Sequence, residues 1–313
     1  MTAARNRLSP TVPLGPGSRV AIIAGSGMLP HSVAEALCAM GHRPLVVAIE
    51  GEAQFERAPE RYDLWSIKLE HVGTLLLKLK RQGVTHLVMA GGVKRRPPIR
   101  SLRMTPGVLL FLPKLLWAYA RGDDDLLSTL IRYVESHGIH VVGAHEVAPE
   151  LLAPNQVLTK AKPTAADEKD ISAALEAARA IGRLDIGQAA IAIGGRAIAL
   201  EGIEGTDGLL ARTIELRSHG RLAGKTRGVL VKCAKPGQET RADLPAIGPQ
   251  TVRDAHAAGL AGIAVEAGRS FILETGETIR LEKADFDTFE RLLIEANEAW
   301  SRQDLAALQR IAT

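Results

Sequence analysis

The stretch Arg19-Val20-Ala21-Ile22-Ile23-Ala24-Gly25-Ser26-Gly27-Met28-Leu29-Pro30 decides the architecture. Its first half is an apolar run of strand length, and the glycines after it let the chain turn. Helical spacing then runs through residues 31–40 and stops at Gly41, and residues 44–49 form a second apolar strand. Strand, Gly loop, helix and strand make the opening unit of a Rossmann-like parallel sheet, in which glycines let backbone approach a phosphate at a helix N-terminus. The dinucleotide fingerprint is incomplete, because Pro30 stands where a third glycine belongs. Proline can begin a helix, so a phosphate cradle survives while a nicotinamide cofactor is disfavoured. A purely structural turn would use the same glycines. Gly25, Ser26 and Gly27 are the first substrate-binding candidates.

The pattern repeats downstream. Residues 70–82 have helical spacing, with Val72, Leu75, Leu76 and Leu79 on one face. The strand His86-Leu87-Val88-Met89-Ala90 runs into Gly91-Gly92-Val93-Lys94-Arg95-Arg96-Pro97. Glycines and cations after a strand sit where open α/β sheets bind ligands, so Gly91, Gly92 and Lys94 join the phosphate candidates. Arg95 and Arg96 are either solvated or attract an anionic substrate. Thr105-Pro106-Gly107 opens a bulky apolar helix over 108–120, which reads as core or as a surface for lipid chains. Asp123, Asp124 and Asp125 precede a helix over 126–137. Acidic residues suit a first helical turn, but three exceed what one cap needs, so Asp123 and Asp124 stay open as metal or ribose groups. A fourth strand, 139–142, ends in Gly143-Ala144-His145-Glu146, where His145 and Glu146 are acid/base or ligand candidates, or structural residues.

The chain has 313 residues, which favours two domains. Residues 1–18 and 298–313 read as polar tails, 19–150 as the Rossmann-like domain, 151–163 as a linker and 164–297 as a distinct α/β domain. A hydrophobic fraction of 46% supports proper cores, and no run approaches the ~18 apolar residues of a membrane span. The formal charge of +4 suits an anionic ligand but does not call for nucleic acid. Cys38 and Cys233 lie far apart in apolar segments and read as reduced core thiols. In the second half, a helix over 166–181 leads to Asp185-Ile186-Gly187-Gln188 and then to a hairpin of 189–193 and 197–200 around Gly194-Gly195. Glu204, Thr206 and Asp207 follow: either Thr206 or Asp207 caps a helix over 209–216, or the three meet a sugar, a phosphate-bound metal or both. A last helix is predicted over 284–296.

The most decorated loop is Lys235-Pro236-Gly237-Gln238-Glu239-Thr240-Arg241-Ala242-Asp243-Leu244-Pro245, between a buried strand ending at Ala234 and a helix running from Pro249 to Gly259. A connector needs Gly, Pro and Asn, not this density of cations, carboxylates, amide and hydroxyl. The stretch reads either as a solvated loop whose charges neutralise each other or as an active-site loop.

Taken in order, several segments resemble the UDP-2,3-diacylglucosamine pyrophosphatase family of lipid A biosynthesis, of the kind unrelated to calcineurin-like phosphoesterases. They are Ile23 to Pro30, Ala90-Gly91-Gly92-Val93, Arg121-Gly122-Asp123-Asp124, Gly143-Ala144-His145-Glu146, Asp185-Ile186-Gly187-Gln188, Glu204-Gly205-Thr206-Asp207 and the loop just quoted. The resemblance spans roughly residues 18–275. It implies a lipid nucleotide held between a Rossmann-like and a second α/β domain. It implies hydrolysis to UMP and 2,3-diacylglucosamine 1-phosphate with a divalent cation, Mg²⁺, in a cytoplasmic homodimer able to touch the inner membrane. The family's essential aspartate falls in Arg241-Ala242-Asp243-Leu244-Pro245, on Asp243. The resemblance then implies that Asp243 ligates the cation or orients water, and that Lys235 and Arg241 carry developing charge, an effect worth ~3 kcal/mol per well-placed donor, with Gln238 and Thr240 as substrate-binding candidates. Two readings of another class share the glycine loop: a catalytically silent nucleotide-sugar sensor and a Rossmann-domain oxidoreductase.

Overall fold

A computed structural model describes residues 13–93, 95, 101, 106–119, 122–159, 162–284 and 291–294. Lys94 and the far C-terminal tail lie outside them. The chain divides into two units, Met1–Glu150 together with Glu239–Asp243, and Leu151–Gln238 together with Leu244–Thr313. The sequence places 239–243 with the second half; the structure counts these five residues with the first.

The first unit holds five strands: β1 (Val20–Ala24), β2 (Leu45–Ile49), β3 (Asp63–Ile67), β4 (His86–Ala90) and β5 (His140–Val142). All pair in parallel, in the order β3-β2-β1-β4-β5, with Ala21 opposite Leu45 and Leu87. This is the Rossmann-like sheet that the opening stretch predicts. Ala21, Leu45, Val47, Leu87 and Val141 pack with Leu75 and Leu79 of α2 (Val72–Arg81) and Ile131 of α4 (Asp123–Ser136). The alternate residues Ile22, Val46 and Val88 are buried too, so the central strands read as unbroken apolar runs. Helix α1 (Leu29–Ala39) starts with Pro30 in its first turn. Helix α3 (Pro106–Tyr119) and the single turn α5 (Ala144–Val147) complete the unit. Strand β3 has no clear signal in the sequence. It is an edge strand of mixed polarity, and Asp63 at its start receives Arg19 at 2.5 Å and Arg43 at 2.7 Å.

The second unit has a mixed sheet. Strands β6 (Ala189–Ala192), β7 (Ala197–Leu200), β8 (Val229–Lys232), β10 (Gly262–Val265) and β12 (Arg291–Ile294) follow the order β12-β10-β8-β6-β7. β6 runs antiparallel to both neighbours and the rest are parallel. β9 (Ala246–Ile247) pairs with β11 (Phe271–Ile272). The hairpin turn has Gly194 and Gly195 at φ 64° and 77°, the left-handed pair that a tight two-residue connection requires. Helix α6 (Ala165–Arg183) lays Ile171, Ala174 and Ala178 on one face of the sheet, against Ala190, Val231 and Cys233. Helices α7 (Gly205–Leu216) and α8 (Pro249–Ala257) cover the other with Leu209, Leu210, Val252 and Ala255. Burial, and then the nearby Glu266 charge, push the Cys233 thiol up to about 12, which keeps it an inert core group.

The predicted helix over 284–296 is corrected. Helix α9 (Thr275–Ala284) ends where it was to begin, and residues 291–294 form a strand. Leu292, Leu293 and Ile294 align with Ile263, Ala264 and Val265 of β10. Pairing to an existing sheet edge outweighs the local helix preference of this segment.

Candidate functional site

The two glycine loops of the first unit lock onto each other. Gly25 N–H donates to Ala90 O at 2.8 Å and Ser26 N–H to Gly92 O at 2.7 Å, while Gly92 N–H returns a bond to Ser26 O at 3.1 Å. Ser26 Oγ also donates to Gly92 O at 3.0 Å. The expectation that these amides present themselves to a phosphate therefore needs correcting for three of them, since Gly25, Ser26 and Gly92 spend their N–H groups within the protein. Gly27 and Gly91 stand outside that exchange, both in the left-handed region at φ 92° and 83°. Gly25 is glycine because a Cβ there would collide with the Gly92 backbone, and one on Gly91 would lie 2.8 Å from the Gly25 carbonyl carbon. Past this point Arg95 is exposed, bonded through its N–H to Glu52 and 3.6 Å from Glu70.

The segment Glu239–Asp243 forms a turn in the same unit. Ala242 N–H and Asp243 N–H both donate to Glu239 O, at 3.0 and 3.1 Å. Ala242 packs against the core beneath the sheet. Arg241 grips Glu239 with two parallel bonds, Nε at 2.9 Å and Nη2 at 3.0 Å, and extends Nη1 to Glu135 of α4 at 2.8 Å. The guanidinium is 11% exposed and Glu239 6%. Its bonds to Glu239 chiefly hold the Arg241 guanidinium above its ordinary value, against the effect of burial. Burial alone would raise the Glu239 carboxyl, but hydrogen bonds from Arg241 and its charge outweigh that and hold it low. Asp243 is half-buried.

His145, on α5, reaches the same turn through the Thr240 backbone. Burial holds its imidazole below the ordinary value, although Glu146, Thr240 and Glu239 all favour the cation. Glu146 accepts from Gly143 N–H at 2.8 Å and so closes the first turn of α5. Asp123 and Asp124 open α4 after Gly122, which sits at φ 132°; Asp124 is half-buried.

The second unit gathers its candidates around a buried carboxylate. Glu201, 6% exposed, accepts from Gln188 N–H at 2.7 Å and from Thr206 Oγ1 at 2.7 Å. Thr206 thus serves Glu201 and does not cap a helix from 209; α7 already begins at Gly205. Glu204 is exposed and pairs with Arg212 at 2.6 Å, and Asp207 is exposed in the first turn of α7. Lys235 Nζ lies 2.5 Å from Asp185 Oδ1, with Asp185 held at φ 54°. Gln238 is buried, and its Oε1 accepts from Lys235 N–H at 2.8 Å, bracing the loop's first turn.

Both cations nominated for developing charge therefore have carboxylate partners in the folded chain. Glu135, Asp185 and Glu201 escape a reading of sequence as site residues. Asp185 has a signal, since it begins the quoted Asp185-Ile186-Gly187-Gln188 motif. Glu201 has a weak one, ahead of the Gly202 turn. Glu135 has none, because it lies in the last turn of a helix far along the chain from Arg241.

The comparisons with known proteins agree across this whole layout. A family model described as the LpxI N-terminal domain matches residues 19–151, and one described as the LpxI C-terminal domain matches residues 154–285. The chain is 38% identical over 257 residues to the UDP-2,3-diacylglucosamine pyrophosphatase LpxI of Caulobacter vibrioides, covering 82% of this chain and 91% of that protein. With both domains matched in order and 38% identity over 82% of the chain, the chain belongs to the LpxI family.

Proposed function

We propose that this protein hydrolyses the pyrophosphate bond of UDP-2,3-diacylglucosamine, releasing UMP and 2,3-diacylglucosamine 1-phosphate. The observation that carries the reading is the 38% identity to the Caulobacter vibrioides pyrophosphatase over 91% of that protein's length.

Cleaving a diphosphate demands an oriented water and relief of the charge that builds on the departing phosphate. Asp243 is the carboxylate for the first task, set on a turn whose backbone is closed on Glu239 O. His145, which reaches the Thr240 backbone and whose imidazole burial holds below its ordinary value, is the acid/base candidate beside the same turn. Lys235, released from Asp185 by an incoming phosphate, would supply positive charge. Among the described residues no group of three His, Cys, Asp or Glu converges as a metal cage. Mg²⁺ usually takes one or two carboxylates and fills its remaining positions with phosphate oxygens and water. Asp243 is the residue that would hold it, and when bound it would neutralise the diphosphate. Among the described residues no helix is long and apolar enough to cross a membrane. Exposed Leu116 and Trp117 on α3 suit the acyl chains or bilayer surface where a diacylated substrate resides. A homodimer acting at the cytoplasmic face of the inner membrane completes the reading.

The test is direct. Purified protein given UDP-2,3-diacylglucosamine and Mg²⁺ should release UMP, and Asp243→Ala should bind the substrate without turning it over. Full activity in Asp243→Ala would remove Asp243 from the mechanism. Binding by the wild type without UMP release would make the chain a sensor.

A further inference from the structure

The turn Glu239–Asp243 buries an arginine between two carboxylates, and charges are not taken out of water without consequence. Arg241, Glu239 and Glu135 are 11%, 6% and 24% exposed at their side chains. Such clusters contribute little to stability relative to apolar packing, and their best-supported use is to specify one geometry. Three of the guanidinium's N–H bonds go to these carboxylates. The trio carries a net charge of about −1, since one cation faces two anions. An arginine so engaged is poorly placed to receive a diphosphate, because doing so would strand the buried Glu239 carboxylate and the half-buried Glu135.

What the trio does fix is position. Helix α4 is anchored by Ile131, fully buried in the core of the unit. Glu135 is one turn further along, in the last turn of α4, where its backbone carbonyl accepts from Gly138 N–H at 2.9 Å. From it the connection runs through Arg241 to Glu239, whose carbonyl accepts from both Ala242 and Asp243. Asp243 is thereby located by a side-chain strut on one side and two backbone bonds on the other. We propose that Glu135 is a positioning residue for Asp243, acting through Arg241, and that Arg241 is a strut and not a phosphate ligand. The proposal rests on the reading that Asp243 works at the diphosphate.

The experiment combines turnover with native-state cleavage. UMP release from UDP-2,3-diacylglucosamine with Mg²⁺ is measured for the wild type, Glu135→Ala, Glu135→Gln, Arg241→Lys and the double variant Glu135→Ala/Arg241→Lys. Misplacing a reacting group by about 1 Å costs on the order of 100-fold, so Glu135→Ala should lower kcat by roughly 10- to 100-fold, with KM within about twofold of wild type. Glu135→Gln should fall between, because its amide oxygen still accepts from Nη1. The double variant should be no slower than Arg241→Lys, since both changes cut the same strut. Trypsin cleavage after Arg241 in the folded protein, read by mass, should rise at least about tenfold in Glu135→Ala as the turn opens locally.

Unchanged kcat and cleavage in Glu135→Ala would overturn the proposal. So would multiplying losses in the double variant, or a raised KM at constant kcat. Glu135→Gln, nearly isosteric, keeps the test valid if the alanine variant unfolds. Absence of turnover in the wild type would instead retire the functional reading, and the two failures are told apart by that control.

Discussion

Glu201 offers the sharpest test of how the second unit holds its polar residues. Its carboxylate is 6% exposed and accepts one backbone N–H, from Gln188, and one hydroxyl, from Thr206. Replacing it with alanine leaves both donors without this acceptor in a part-buried site. A fully buried unsatisfied donor costs about 1–3 kcal/mol, so with water partly admitted Glu201→Ala should lose roughly 2–4 kcal/mol. Glutamine keeps the shape and one acceptor but turns an NH₂ toward the other donor. Its loss should be about 1–2 kcal/mol, near half that of alanine. The assay is guanidinium unfolding followed at constant m, with a thermal scan in which each kcal/mol moves Tm by about 2–4 °C for a unit of this size. The order wild type, Glu201→Gln, Glu201→Ala is the signature. Both variants within about 0.5 kcal/mol of wild type would refute the reasoning, because that is the range of an ordinary surface change.

Two further outcomes follow from the same coordinates. Gly25→Ala should destabilise by about 1–3 kcal/mol, because its Cβ meets Gly92 backbone, which cannot swing aside. Gly27→Ala, at φ 92° with nothing within 4 Å, should lose only about 1–2 kcal/mol for its left-handed conformation; denaturant midpoints in the reverse order would count against the packing argument. Asp167 accepts from Thr164 N–H at 2.8 Å and Thr164 Oγ1 at 2.6 Å and faces Arg227 at 3.2 Å. Burial raises its carboxyl, but these partners together hold it below the usual range. A depressed folded pKa means the unfolded chain binds more protons. The contribution is therefore complete above the unfolded value near ~3.9 and is lost as pH falls through the folded one. Stability measured from pH 6 downward should drop more steeply in wild type than in Asp167→Asn, and parallel curves would contradict it.

Much of the architecture was legible because it is encoded locally. The apolar runs 20–24 and 45–49, the glycines between them and the Gly194-Gly195 turn each state their conformation within a few residues, through side-chain period and the freedom of glycine at positive φ. β3, with Asp63 and Ser66 in it, carries no clear strand signal, and residues 291–294 read as part of a helix, for the opposite reason. Their strand character comes from a neighbour's unpaired edge, and the segments themselves are of mixed polarity or short.

By itself, the sequence determined the α/β class, the two halves and the loops where polar chemistry collects, because period and punctuation are properties of the chain alone. It also carried enough of the LpxI motif set to point to the family. Tertiary structure alone decided what those polar groups face. It joined Arg241 to Glu135, Lys235 to Asp185 and Thr206 to Glu201, and it spent the Gly25 and Ser26 amides on Ala90 and Gly92. A charge or an amide has no fixed role until folding selects its partner, and these partners lie tens of residues away in nearly every case.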